Sequence, residues 1–167
     1  MNPKFWIVLG ALSGFLSVSL GAFGAHAMKD SATEELFYSG ANNKAEFVKL
    51  KEYKSRMEIF EVGVRYQMYH SLALVLTGLL GAVIRSERAS SPTIGGLCFT
   101  IGLVLFCGPL YGMTFLIGFN WLGAIVPIGG VSFLVGWAAL GIAAMNLAGS
   151  ESPGALETAP ARQTVPA

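Results

Sequence analysis

Four long apolar runs separated by polar stretches set the pattern of this chain. They cover about residues 5–27, 66–84, 94–117 and 125–147. Each run is close to the roughly 20 residues that an α-helix needs to cross the hydrocarbon core of a bilayer. The pattern therefore predicts an all-α fold, a bundle of four transmembrane helices that forms one membrane domain over residues 1–149.

Polar stretches at two places modify this picture. Residues 29–65 hold seven Lys or Arg and seven Asp or Glu, so loop 28–65 is expected to lie in water. Within it, apolar residues recur every three or four positions, which predicts an amphipathic helix over about 44–64 that runs on into the second span. The tail, residues 150–167, is rich in Pro, Ala, Thr and Ser and is predicted to be disordered.

Composition agrees with lipid as the solvent of most of the chain. Hydrophobic residues make up 53% and charged residues 13%, whereas a soluble domain carries about a quarter charged residues. The formal net charge is only +1 and the sequence has no block of basic residues, so it does not indicate nucleic-acid binding. Four Lys or Arg fall on one side of the predicted spans and seven on the other, a count that leaves the orientation open.

The first run has two interpretations. Lys4, the apolar stretch and Ala25-His26-Ala27 together reproduce the layout of a cleavable signal peptide. The run is longer than a usual signal-peptide core, and further spans follow it, which favours a retained helix. Small residues recur along the run at helical spacing, at Gly10, Gly14, Ser17, Gly21 and Ala25. Such a ridge predicts that the first helix packs closely against a neighbour.

A candidate polar cluster follows from the order of the spans. The end of the first span, the start of the second, the later part of the third and the start of the fourth meet at one face. The cluster expected there consists of His26, Arg65, Tyr66, Gln67, Tyr69, His70 and Tyr111. Polar groups in a membrane need partners, so interhelical hydrogen bonding is the first interpretation, with Arg65 anchoring the helix end or binding a lipid phosphate or other anion.

Two other functions remain open for this cluster. His26 and His70 are expected at matched depth, and neutral imidazole ligates metal or haem iron, so a bis-histidine haem or metal site is one alternative. An oligomeric subunit of a small-solute transporter or channel is another. The predicted membrane region shows no catalytic triad, carboxylate pair, phosphate loop or zinc-ligand spacing, so we expect neither an enzyme nor a resident cofactor. The expected partners are the bilayer and a second copy or other membrane proteins.

Four motifs in order resemble a known family. They are Leu20-Gly21-Ala22-Phe23-Gly24-Ala25-His26-Ala27, Arg65-Tyr66-Gln67-Met68-Tyr69-His70, Leu105-Phe106-Cys107-Gly108-Pro109-Leu110-Tyr111 and Pro127-Ile128-Gly129-Gly130. The chain resembles the domain-of-unknown-function 423 family of small multi-pass membrane proteins, which includes bacterial YgdD- and YwdK-like proteins and the animal transmembrane protein 256. The resemblance implies a retained first span and a bacterial plasma membrane, but no activity. Residues 37–57 form a longer link than the family usually has.

Overall fold

A computed structural model describes residues 2–27, 43–84, 91–116 and 118–148 of the chain. All regular structure in these ranges is helical. The α-helices are α1 (Pro3–Ala27), α2 (Lys44–Val83), α3 (Ser91–Gly102), α4 (Gly108–Phe115) and α5 (Val126–Ala148). A π turn, Leu103–Cys107, joins α3 to α4, and a 3₁₀ turn, Asn120–Ala124, precedes α5. The predicted disordered tail, residues 150–167, lies outside the described residues.

Three segments are long and apolar enough to cross a membrane, namely Pro3–Gly24, Pro92–Phe115 and Asn120–Met145. They correspond to the first, third and fourth predicted spans. The second predicted span is the C-terminal half of α2, where polar residues interrupt the apolar run before Leu72. This half of α2 packs against α1, α3 and α4. The prediction of an all-α membrane bundle is confirmed.

α2 is one continuous helix of 40 residues, as the pattern from residue 44 onward predicts. It begins at Asn43, whose side-chain oxygen accepts a hydrogen bond from the backbone N–H of Glu46 at 3.0 Å. This cap satisfies one of the free donors in the first turn. The charged N-terminal half of α2 and its predicted membrane-spanning half form one uninterrupted helix.

The packing register shows which part of α2 lies at the depth of the other spans. Phe60 contacts Gly24, and its ring lies 5.7 Å from that of Phe115. Gly24 and Phe115 both belong to apolar segments long enough to cross a membrane. At the other end, a Cβ atom on Gly81 would lie 3.6 Å from the Cβ of Pro92, near the start of the third span. The register thus favours a membrane segment from about Phe60 to Gly81, whereas the limits 66–84 remain a prediction.

The core of the bundle is aromatic and aliphatic. Its buried members are Trp6, Ala73, Leu74, Phe99, Phe133 and Leu140. Many large apolar side chains point outward instead, among them Phe15 at 74% exposed and Leu134 at 70% exposed. Exposure on this scale suits a surface that faces lipid tails, which are as apolar as the side chains themselves.

The third span contains Pro109, and its helix changes to a π turn over Leu103–Cys107 just before this proline. Pro109 has no N–H to donate to the preceding turn, so the helical ladder must change its spacing there. Gly129 of α5 packs directly on this turn, since a Cβ atom at residue 129 would lie 2.5 Å from the backbone nitrogen of Phe106. The start of α5 is thereby held against the third span.

Candidate functional site

Gln67 connects three helices at the centre of the polar cluster. Its side-chain Nε2 donates to the backbone carbonyl oxygen of Ser13 on α1 at 3.0 Å. Its Oε1 accepts from the hydroxyl of Tyr111 on α4 at 2.7 Å. Gln67 is 5% exposed, so both bonds form away from water. The side chain of one α2 residue therefore links α1 to α4.

Serines extend this contact along the α1–α2 interface. The hydroxyl of Ser71 lies 2.8 Å from that of Ser13 and donates to the carbonyl of Gln67 at 2.6 Å. One turn further along, Ser17 donates to the carbonyl of Val64 at 2.9 Å. The predicted cluster did not include these serines. Ser17 belongs to the small-residue ridge of the first helix, which the structure packs against α2, whereas Ser13 and Ser71 lie outside that ridge.

His70 is the second buried polar centre, and both of its ring nitrogens are engaged. Nδ1 lies 2.8 Å from the carbonyl oxygen of Tyr66, and because a carbonyl only accepts, Nδ1 carries the proton. The indole N–H of Trp137 on α5 donates to Nε2 at 3.3 Å. The ring also stacks on Phe133, with centroids 3.4 Å apart and planes 8° apart. His70 thus joins α2 to α5 as a neutral imidazole.

The remaining members of the predicted cluster on α2 point outward. Tyr66 and Tyr69 are 40% and 55% exposed, and Arg65 is also exposed. The ring of Tyr66 stacks on Phe106 with centroids 4.6 Å apart. The backbone carbonyl of Tyr66 accepts a hydrogen bond from His70, whereas the Tyr66 side chain lies at the surface of the bundle. The structure therefore divides the cluster into an inward set, Gln67, His70 and Tyr111, and an outward set, Arg65, Tyr66 and Tyr69.

His26 does not lie at the depth of His70. His26 belongs to the last turn of α1, and the structure describes its backbone only. His70 is next to Ser71, whose Cβ lies 3.7 Å from a Cβ built on Gly14. Twelve helical residues separate Gly14 from His26, an axial distance of about 18 Å. The expected depth match is wrong, because Gly14, and not the last turn of α1, packs level with His70.

This offset bears on what the inward set can do chemically. Imidazole nitrogens lie about 2 Å from a bound metal, so two histidines offset by some 18 Å along the bundle cannot share one ion. Within the described residues, no three His, Cys, Asp or Glu side chains are grouped as metal ligands. In the same part of the chain, every buried side-chain nitrogen and oxygen has a hydrogen-bond partner. The inward set is thus occupied by contacts between helices.

The His70 tautomer can be tested directly. We expect a neutral ring protonated at Nδ1, because the Tyr66 carbonyl accepts from that atom and Trp137 donates to Nε2. Solid-state NMR of protein labelled with ¹⁵N-histidine in bilayers measures this, with His26→Gln used to assign the signals. A Trp137→Phe variant should shift the Nε2 signal and leave Nδ1 protonated. A proton on Nε2 in the unmodified protein would contradict the assignment.

Comparison with known proteins gives a consistent result. A family model described as "Protein of unknown function (DUF423)" matches residues 20–130. A UPF0382 membrane protein of Staphylococcus epidermidis is 36% identical over 146 residues, covering 87% of this chain and 99% of the relative. The UPF0382 membrane protein YwdK of Bacillus subtilis is 34% identical over 143 residues, covering 86% and 98%. No solved structure matches the chain.

Proposed function

Because the chain belongs to the DUF423 family, we propose that it is a non-catalytic structural or assembly protein of the bacterial plasma membrane. The protein is a multi-pass integral membrane protein, as its helices and the names of its relatives indicate. Its inward polar set holds the helices in register. Its outward apolar surface is left for lipid, for a second copy or for neighbouring membrane proteins.

The observation that supports this proposal is that the buried polar side chains of the bundle already form hydrogen bonds. Such groups are costly to bury without a partner. Gln67 uses its amide nitrogen and its amide oxygen for bonds to two other helices. His70 uses both ring nitrogens, one of them toward α5. A binding or catalytic site in a membrane would need polar groups with free donors or acceptors. Groups that already bond to neighbouring helices support a role in packing.

The experiment that tests the proposal is purification of the full chain, followed by its absorption spectrum and its metal content. We expect a colourless protein without a Soret band or stoichiometric metal. A His70→Ala variant should keep this spectrum and lose about 1 kcal/mol of unfolding free energy, since it removes interhelical hydrogen bonding within the membrane.

A matched variant separates packing from ligation. Trp137→Phe removes the donor to His70 and leaves the imidazole in place. If His70 were a haem or metal ligand, His70→Ala would abolish the chromophore or the metal, and Trp137→Phe would retain it. That pair of results would replace the structural role with a ligand-binding function of His70.

A further inference from the structure

Two charged residues of α2 lie beside apolar segments of the neighbouring helices. Phe60 packs against Gly24 and Phe115, which both belong to segments apolar and long enough to cross a membrane. Glu61 follows Phe60 directly, and Arg65 lies four residues further into the bundle, about 6 Å deeper than Glu61. Both side chains are exposed rather than buried.

These charges line a cleft between α1 and α2. The cleft has a volume of about 250 Å³. Its lining is largely apolar and consists of Gly21, Gly24, Met57, Phe60, Glu61, Val64 and Arg65. Gly24 packs closely on the ring of Phe60, and the exposed side chains of Glu61 and Arg65 border the cleft beside this contact.

Within the described residues, neither Glu61 nor Arg65 forms an ion pair, whereas Arg56 of the same helix pairs with Glu52 at 3.1 Å. A charged side chain at membrane depth is costly unless it reaches the interface or meets an opposite charge. Arg65 has a long side chain that can snorkel. Glu61 has a shorter one and faces the same groove.

The order of the two charges matches the order of charges in one class of lipid. In a phospholipid with an amine in its headgroup, the phosphate lies next to the acyl chains and the ammonium lies further out. In the groove, the cation Arg65 is the deeper residue and the anion Glu61 the shallower one. Positions four apart on a helix have Cβ atoms about 6 Å apart, a separation that a phosphoethanolamine headgroup can bridge.

We propose that the α1–α2 cleft binds a phospholipid with a primary amine, its phosphate held by Arg65 and its ammonium by Glu61. Arg65 offers a planar fork of N–H donors that suits phosphate oxygens. The carboxylate of Glu61 accepts from the ammonium. The glycerol and the acyl chains continue past Arg65 toward the interior of the bilayer. An anionic lipid without an amine would bring no cation to Glu61.

Native mass spectrometry tests this proposal by measuring which lipids stay bound to the full chain. The protein is released from nanodiscs that contain equal parts of phosphatidylethanolamine and phosphatidylglycerol. We expect the wild type to retain phosphatidylethanolamine over phosphatidylglycerol by about tenfold, in line with charge-assisted hydrogen bonds. Glu61→Gln should abolish this preference and keep some retention of both lipids. Arg65→Gln should lose both lipids, and Arg65→Lys should keep part of the retention.

Glu58→Gln is the matched control, because Glu58 is an exposed carboxylate one turn earlier on α2 and lines a different cleft. It should behave as wild type, and thermal unfolding should show that all variants are folded. Equal retention of the two lipids by the wild type would overturn the proposal. So would a Glu61→Gln variant with unchanged preference, or a lipid-free dimer of the chain. None of these outcomes depends on the structural role proposed above.

Discussion

A Gly10→Leu variant is expected to lose about 3 kcal/mol of unfolding free energy, because α1 can no longer approach α2. A Cβ atom on Gly10 would lie 2.7 Å from the carbonyl oxygen of Ser71 and 2.8 Å from the backbone nitrogen of Val75. Backbone atoms cannot rotate aside as the end of a side chain can. Any side chain at residue 10 must therefore separate the two helices. Reversible unfolding in bicelles with increasing SDS measures the loss.

The chain offers a matched control for this substitution. Gly141 lies on α5, is exposed, and has no atom within 4 Å of a Cβ built on it. A Gly141→Leu variant adds the same side chain to a helix surface and should stay within about 0.5 kcal/mol of wild type. Equal destabilisation by both variants would show that leucine is poorly tolerated for a reason other than the close approach of α1 to α2.

The close approach itself was predictable from the sequence. Gly10, Gly14, Ser17 and Gly21 recur at helical spacing, and small residues mark interfaces in membranes where other signals are weak. The structure places all four against α2. The lengths of the apolar runs likewise predicted the helices, because bilayer thickness fixes the length of a spanning helix.

The sequence did not predict which polar side chains point into the bundle and which point outward. In water, an apolar stripe shows which face of a helix is buried. In lipid both faces of a helix are apolar, so nothing in the run around residues 65–71 distinguished Gln67 and His70, which point inward, from Tyr66 and Tyr69, which point outward. Only the register with α1 and α4 decides this, and that register depends on individual contacts.

The depth of the second span stays a prediction for a related reason. The change from charged to apolar residues near Arg65 suggested a membrane boundary there. In the structure Phe60, five residues earlier, already packs against Gly24 and Phe115, which belong to apolar segments of two other helices. A charge usually marks a boundary because burying it is costly. An exposed charge beside an open cleft is an exception that sequence alone does not reveal.

Gln67→Leu is the substitution in the polar cluster with the largest expected effect, a loss of about 2 kcal/mol. Leucine is similar in size, so packing changes little, but it can neither donate nor accept. The carbonyl of Ser13 and the hydroxyl of Tyr111 would both lose their partner. The same unfolding measurement should record the loss, and an unchanged stability would mean that the Gln67 bonds contribute nothing net.

A double-mutant cycle shows whether the loss belongs to the contact between α2 and α4. Tyr111→Phe removes the hydroxyl that Gln67 accepts from, so the two substitutions should be non-additive by about 1 kcal/mol.

Thr77→Val provides the comparison, because the Thr77 hydroxyl is buried but bonds only within α2, to the carbonyl of Ala73. Its effect should add to that of Gln67→Leu. Additivity of Gln67→Leu with Tyr111→Phe would mean that the inward set satisfies its own atoms without holding the helices in register, which would remove the main support for a structural role.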